Sequence, residues 1–344
     1  MSSGNTGGGG RAVLNILRGL VFASAALLLL VAADATPSFG QTPARKLIVT
    51  AAGARLRERP ETGAAEAGRL PLGAIVDGLE RSAEKSKVGA AEDFWHLVSA
   101  PGGARGWVFG GLVAPYEPAR RDALYLKLAN DRLANTSATF ADLSELVRFL
   151  DRATREVKSR GALAELELAR LSALARSLAA IPFEQLNGQP YKSWTDEREK
   201  EIVYSEPAGQ WYVNSNAFWN LHSKYKDLPV AERIAWEGSQ TPLPGECEGY
   251  LPCYVYKETQ TSGRYLKLYP RGAHADAALA SLAESFGHIT EGLRGNNPGY
   301  EVPREDLPDF RRSITALRAQ LALVPAPKKA RVLAQLDEIA RRFR

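Results

Sequence analysis

The sequence predicts an α+β protein of more than one domain, with a small β-barrel over residues 44–116 and a mainly α-helical domain over 117–344. Three observations carry that expectation. Short β-branched and aromatic runs recur between turn residues from Leu47 to Val113. Apolar residues then recur at helical spacing from Leu143 to Ala340. Ahead of both, residues 1–35 have a different character. At 344 residues and 45% hydrophobic composition, the chain has apolar material for two or three modest cores.

The leader MSSGNTGGGG is too rich in Gly and Ser to pack a core. Arg11 and Arg18 then precede the 15-residue apolar run Gly19–Ala33. That length suits the hydrophobic part of a signal peptide and falls short of the ~20 residues of a membrane-spanning helix. Ala33-Asp34-Ala35 supplies the small-x-small cleavage pattern. The expectation is an export signal over 1–35, cleaved after Ala35, with an uncleaved N-terminal anchor as the alternative. No cysteine lies near the cleavage point, so lipid attachment there is excluded. The expected location is the periplasm, with membrane contact only through the signal if it is retained.

Cys247 and Cys253 are the chain's two cysteines, in GECEGYLPC, where Gly245, Gly249 and Pro252 bend the backbone. An even count in an exported chain favours a disulfide. A structural zinc site would need four ligands, and the four histidines all lie twenty or more residues from the pair. The formal net charge of +5 comes from 44 basic and 39 acidic residues, intermixed along the chain. This is a mildly basic surface, and no nucleic-acid partner is expected.

Within 44–116, Leu47-Ile48-Val49 reads as a strand and Arg59-Pro60-Glu61-Thr62-Gly63 as a turn. Leu70-Pro71-Leu72-Gly73 leads into Ile75-Val76, and a polar loop is expected from Arg81 to Glu92. Phe94 to Val98 forms the clearest strand, and Pro101-Gly102-Gly103 turns it back toward Gly106-Trp107-Val108-Phe109. The order LRERP, LPLGAIV, FWHLV, GWVFGGLV resembles the bacterial-type SH3 domain of exported and cell-wall proteins, over about one fifth of the chain. The resemblance implies a five-stranded barrel that often binds peptidoglycan peptides or a neighbouring domain, and it implies no chemistry. Trp95, Trp107 and Phe109 are the candidate ligand-binding residues, because aromatics supply contact area at little entropic cost. Against that, Trp95 is the tryptophan expected to fill the barrel's core, and Trp107 could dock the helical domain instead.

From Pro118 onward the periodicity is helical. Thr139-Phe140-Ala141-Asp142 has the form of a capping box, followed by Leu143, Leu146, Val147 and Leu150 on one stripe. Leu171, Leu174, Ala175 and Leu178 make a second stripe before Pro182. Further stripes are Leu279-Leu282-Ala283-Phe286, Phe310-Ile314-Leu317-Leu321 and Val332-Leu336-Ile339-Ala340. The segment Gly263 to Leu279, with Tyr269-Pro270 and His274-Ala275-Asp276, resembles the inter-helix turn of tetratricopeptide-like envelope proteins. One copy implies packed helix pairs; a repeat array needs about three. An aromatic loop region is expected around 188–255, which holds four of the six tryptophans and the paired cysteines.

No catalytic set emerges. A papain-like thiol site would need more than Glu246-Cys247-Glu248-Gly249 offers, because the acidic flanks would raise the thiol pKa. His96, His222, His274 and His288 form no i, i+4 pair for zinc. Glu284-Ser285 touches the Glu-Ser pair of lytic transglycosylases, without the Gly-Leu-Met-Gln element that should follow. No cofactor or metal is expected. The sequence therefore points to a non-catalytic periplasmic binding or scaffold protein of the cell envelope. The expected partner is a cell-wall peptide or an envelope protein. The alternative is a peptidoglycan hydrolase with an unrecognised site.

Overall fold

The apolar run Leu47-Ile48-Val49 opens a sheet, where β-branched Ile48 and Val49 pack well on a pleated surface and all three residues are buried. The computed structural model describes residues 45–295 and 299–344, which belong to one unit running from Pro43 to Arg344. The export segment expected over 1–35 lies outside the described residues.

Seven strands form the sheet: β1 (Arg45–Val49), β2 (Ala54–Arg57), β3 (Glu66–Leu70), β4 (Ile75–Val88), β5 (Ala91–Ser99), β6 (Arg105–Phe109) and β7 (Val113–Pro115). All pairs are antiparallel, in the order β3-β2-β6-β5-β4-β1-β7. The sheet curls into a half-barrel, whereas the sequence resemblance implied a five-stranded barrel. Its two edges are unsuited to pairing. Pro115 has no N–H to donate, the Val113 N–H is taken by the Gly110 carbonyl, and β3 carries Glu66 and Arg69. Leu47, Val49, Ala54, Leu56, Leu70, Val76, Val98 and Val108 fill the core.

The polar loop expected from Arg81 to Glu92 is instead the long end of the β4–β5 hairpin. Lys85 to Val88 pair with Phe94 to Ala91, and Gly89 turns the chain at φ +60°. This end buries no apolar face, so it lacks the alternation that marks a strand in sequence. The Arg81 guanidinium caps the Phe94 ring, 4.2 Å from its centroid.

Eleven helices follow among the described residues. In the first group are α1 (Arg121–Ala134), α2 (Phe140–Glu156), α3 (Arg160–Ala179), α4 (Tyr191–Asp196), α5 (Ser215–Tyr225) and α6 (Ala231–Gln240). The second holds α7 (Leu251–Gln260), α8 (Ser262–Leu268), α9 (Ala275–Arg294), α10 (Leu307–Ala322) and α11 (Lys329–Arg342). Thr139 and Asp142 form the reciprocal capping box of α2, and Pro182 follows the end of α3. A two-stranded hairpin, β8 (Ile202–Ser205) and β9 (Gln210–Val213), sits between α4 and α5.

Two helical cores result. The first gathers α1 to α3 with Trp194, Phe218, Leu221 and Ile234. The second gathers Trp219, Ala235, Leu251, Tyr265 and the inward faces of α9, α10 and α11. Neighbouring residues of α5 and α6 therefore face opposite ways: Phe218 and Ile234 into the first core, Trp219 and Ala235 into the second. These two helices are a shared wall.

The sheet joins the first core through its Leu72 turn. Leu72 and Ile48 are fully buried in that core. Glu145 of α2 accepts the backbone N–H groups of Leu72 at 2.6 Å and Gly53 at 2.8 Å, while Arg152 donates to the Leu72 carbonyl at 2.8 Å. Gly73 stands at φ +75° directly against the Phe149 ring.

Candidate functional site

The register of β5 and β6 places Trp95 opposite Phe109 and Leu97 opposite Trp107, so all four side chains share one face. The three sequence-predicted aromatics are thus brought together, but not as an open groove. Trp95 and Phe109 are each 3% exposed and meet edge to face, with centroids 5.6 Å apart. The Trp95 indole N–H is buried without a hydrogen-bond partner among the described residues. Trp107 is half-buried. Leu72 and Gly73, whose turn carries no aromatic signal in the sequence, pack against the first helical core.

The region around 188–255, expected as loops, is largely ordered into α4, β8, β9, α5, α6 and α7. Trp194 is fully buried, donates its indole N–H to Ser177 and stacks on the guanidinium of Arg198, 3.3 Å from the ring centroid. Arg170 pairs with both Asp151 and Glu201, and the hydrogen bond from Arg170 is the main reason that the Glu201 carboxyl is held below the usual carboxylate range. Arg198, from the charged run DEREKE, therefore covers a buried tryptophan.

Cys247 and Cys253 are joined as a disulfide, with Cα atoms 5.4 Å apart. The bridge closes the turn leading into α7. There Leu251 donates to the Glu301 carbonyl, Glu301 donates back to Gly249, and Lys257 donates to Gly245.

The four histidines lie apart. His96 sits on β5, and His222 is buried and hydrogen-bonded to the Tyr269 hydroxyl at 2.8 Å; burial pushes both imidazoles down. His288 is exposed on α9 beside Glu284, and Ser285 faces the half-buried Glu258 carboxyl, which burial pushes up. Among the described residues, no three His, Cys, Asp or Glu side chains stand where they could share a metal ion. No helix among them is long and apolar enough to cross a membrane.

His274 has the most developed surroundings. It precedes α9, and its ring lies flat on Trp236 of α6, with centroids 4.4 Å apart and an interplanar angle of 8°. Its backbone N–H donates to the Tyr265 hydroxyl at 3.1 Å, and Tyr265 donates to Glu232, which also accepts the Ala273 N–H. The turn after Tyr269-Pro270 is thereby fixed at the boundary of the two helical cores. Beside it a cleft of about 230 Å³ opens between α1, α3 and α6, with Asn130, Ser172, Glu237 and His274 among its lining residues. These residues come from four separate segments and form no motif, so the sequence carries no signal for the cleft.

Comparison with known protein families, curated proteins and solved structures finds no match for this chain.

Proposed function

We propose that this is an exported, non-catalytic binding or scaffold protein of the cell envelope, whose curled sheet is a bacterial-type SH3-like module. Its partner is a peptidoglycan peptide or an envelope protein. The observation that carries the reading is the clamp of Glu145 and Arg152 on the Leu72 turn. It fixes the sheet to the helices as part of one body. A module that tethers an enzyme to the wall needs freedom to swing, whereas a scaffold needs its parts held in a set relation. Support also comes from the sequence: the signal-like segment 1–35, the paired cysteines and the run GWVFGGLV.

Sedimentation of the purified protein with isolated sacculi tests the reading. The protein should pellet with them, and Trp107→Ala should weaken that association. Failure of the wild-type protein to pellet overturns wall binding and leaves an envelope protein as partner. Release of muropeptides by wild-type protein, lost on Glu284→Gln, would overturn the non-catalytic assignment. N-terminal sequencing of the envelope fraction should begin at Thr36.

A further inference from the structure

The cleft between the helical cores contains polar groups that the fold does not use. Arg233, one turn before Glu237 on α6, is committed to Glu165 of α3 at 2.7 Å. Glu237 is not: its carboxylate makes no hydrogen bond or ion pair among the described residues. Burial pushes this carboxyl up, opposed by the charges of Arg233 and His274. The imidazole nitrogens of His274 likewise make no hydrogen bond among the described residues, although the ring is held on Trp236 and the backbone on Tyr265. Asn130 of α1 and Ser172 of α3 add an amide and a hydroxyl to the same space.

We propose that this cleft binds a small ligand bearing a primary ammonium group, with Glu237 as its counter-ion and Asn130, Ser172 and His274 as hydrogen-bonding partners. Three considerations select that class. The Glu237 carboxyl is partly withdrawn from water and has no protein partner among the described residues, and an ammonium ion supplies both the opposite charge and the donors it lacks. An uncharged polyol would supply donors only. A bare metal ion is a poor occupant, because no three ligating side chains converge there. The volume, about 230 Å³, is below the range of drug-sized pockets and suits one amino-sugar ring or one amino acid.

The groups around the ammonium site are Glu165 from α3, Arg233 and Glu237 from α6, and His274 from the turn before α9. Glu165 and Arg233 neutralise one another, which leaves the Glu237 carboxyl and the His274 imidazole to set the cleft's charge. The ion pair also lines the cleft, together with Leu168 and Ala169 of the first core.

This proposal stands whether or not the protein binds the wall, because its test uses purified protein and small probes. Glucosamine and ethanolamine are titrated calorimetrically at pH 7.5 against their uncharged counterparts, glucose and ethylene glycol. At least one amine should bind saturably, and roughly tenfold more tightly than its counterpart. Glu237→Gln, which keeps the side chain's shape, should remove that preference while leaving the thermal midpoint within a degree or two. Asn130→Ala, on an exposed position, should weaken the amine about three- to tenfold through one lost hydrogen bond. Failure of both amines to bind overturns the proposal. So does equal binding of amine and uncharged counterpart, or an unchanged preference in Glu237→Gln.

Discussion

Glu145 on α2 accepts the backbone N–H of Leu72 at 2.6 Å, and this contact ties the turn of a β-sheet to a helix 73 positions later in the chain. The same carboxylate accepts from Gly53 at 2.8 Å, so one side chain holds two turns of the sheet. Hydrogen bonds to an ionised acceptor are stronger than neutral ones, and the Leu72 amide is partly shielded from water.

Glu145→Ala should therefore destabilise the protein by about 2 kcal/mol, through two lost charged hydrogen bonds and a poorly solvated amide. Arg152→Ala, which removes the donor to the Leu72 carbonyl, should cost about 1 kcal/mol. Both side chains grip one residue, so the double variant should lose less than the sum. Urea midpoints at unchanged slope measure all three. Strictly additive losses would show that the two contacts do not form one clamp.

Gly73 gives a sharper test of the same junction. Its φ of +75° disfavours any side chain, and a Cβ would also overlap the Phe149 ring in the first core. Gly102 has a similar φ of +89° but open space around it. Gly102→Ala should cost about 1 kcal/mol for backbone strain alone. Gly73→Ala should cost about 3 kcal/mol, the excess arising from overlap with a fixed aromatic ring. Equal losses at the two sites would mean that the turn can move away from α2.

Where the chain buries a continuous apolar face, the sequence reveals it. Leu143, Leu146, Val147 and Leu150 are all buried, and the Thr139 box caps the helix that carries them. Where burial is shared with charge, it hides. Trp194 lies between Arg148 and Arg198, so its surroundings read as a polar loop. The β4–β5 tip is concealed for the opposite reason, having a full backbone ladder and no buried face. Asn130, Glu237 and His274 converge only because α5 and α6 form a wall between two cores, a relation with no local signature.

The disulfide closes a loop with a sequence separation of 6. In the chain-entropy model a loop of that size stabilises the fold by about 2 kcal/mol. Cys247→Ser with Cys253→Ser should lower the urea midpoint accordingly, and reduction of the wild-type protein should give the same loss. The Cys247 side of the turn is also held by Gly249 and Leu251 bonding to Glu301, so the double variant should keep native near-ultraviolet dichroism. Loss of that signal would show that the bridge, and not the pairing with Glu301, holds the turn.

Stability should fall with acid in two separate windows. Glu201 has a folded-state pKa below its ordinary value of 4.5, chiefly through the Arg170 hydrogen bond. Its contribution is complete above about 4.5 and is lost as pH falls through the lower folded value. His222 is also depressed, in this case by burial first and then by Arg264 and Lys226. The unfolded chain takes up that proton from about pH 6.5 downward while the folded chain resists it, so stability declines from there until the folded value is reached. Glu237 and Glu258, raised by burial, act in the opposite sense between their folded values and 4.5. His222→Gln removes the titrating group while leaving an amide to meet Tyr269. It should flatten the upper window without abolishing it, because His96 is depressed as well. Arg170→Met should flatten the lower window in part, because Asp122 and Asp227 are depressed by other partners, and should leave the upper one unchanged. Urea midpoints from pH 3 to pH 8 separate the two, and an upper window that survives His222→Gln in full would assign it to His96 alone.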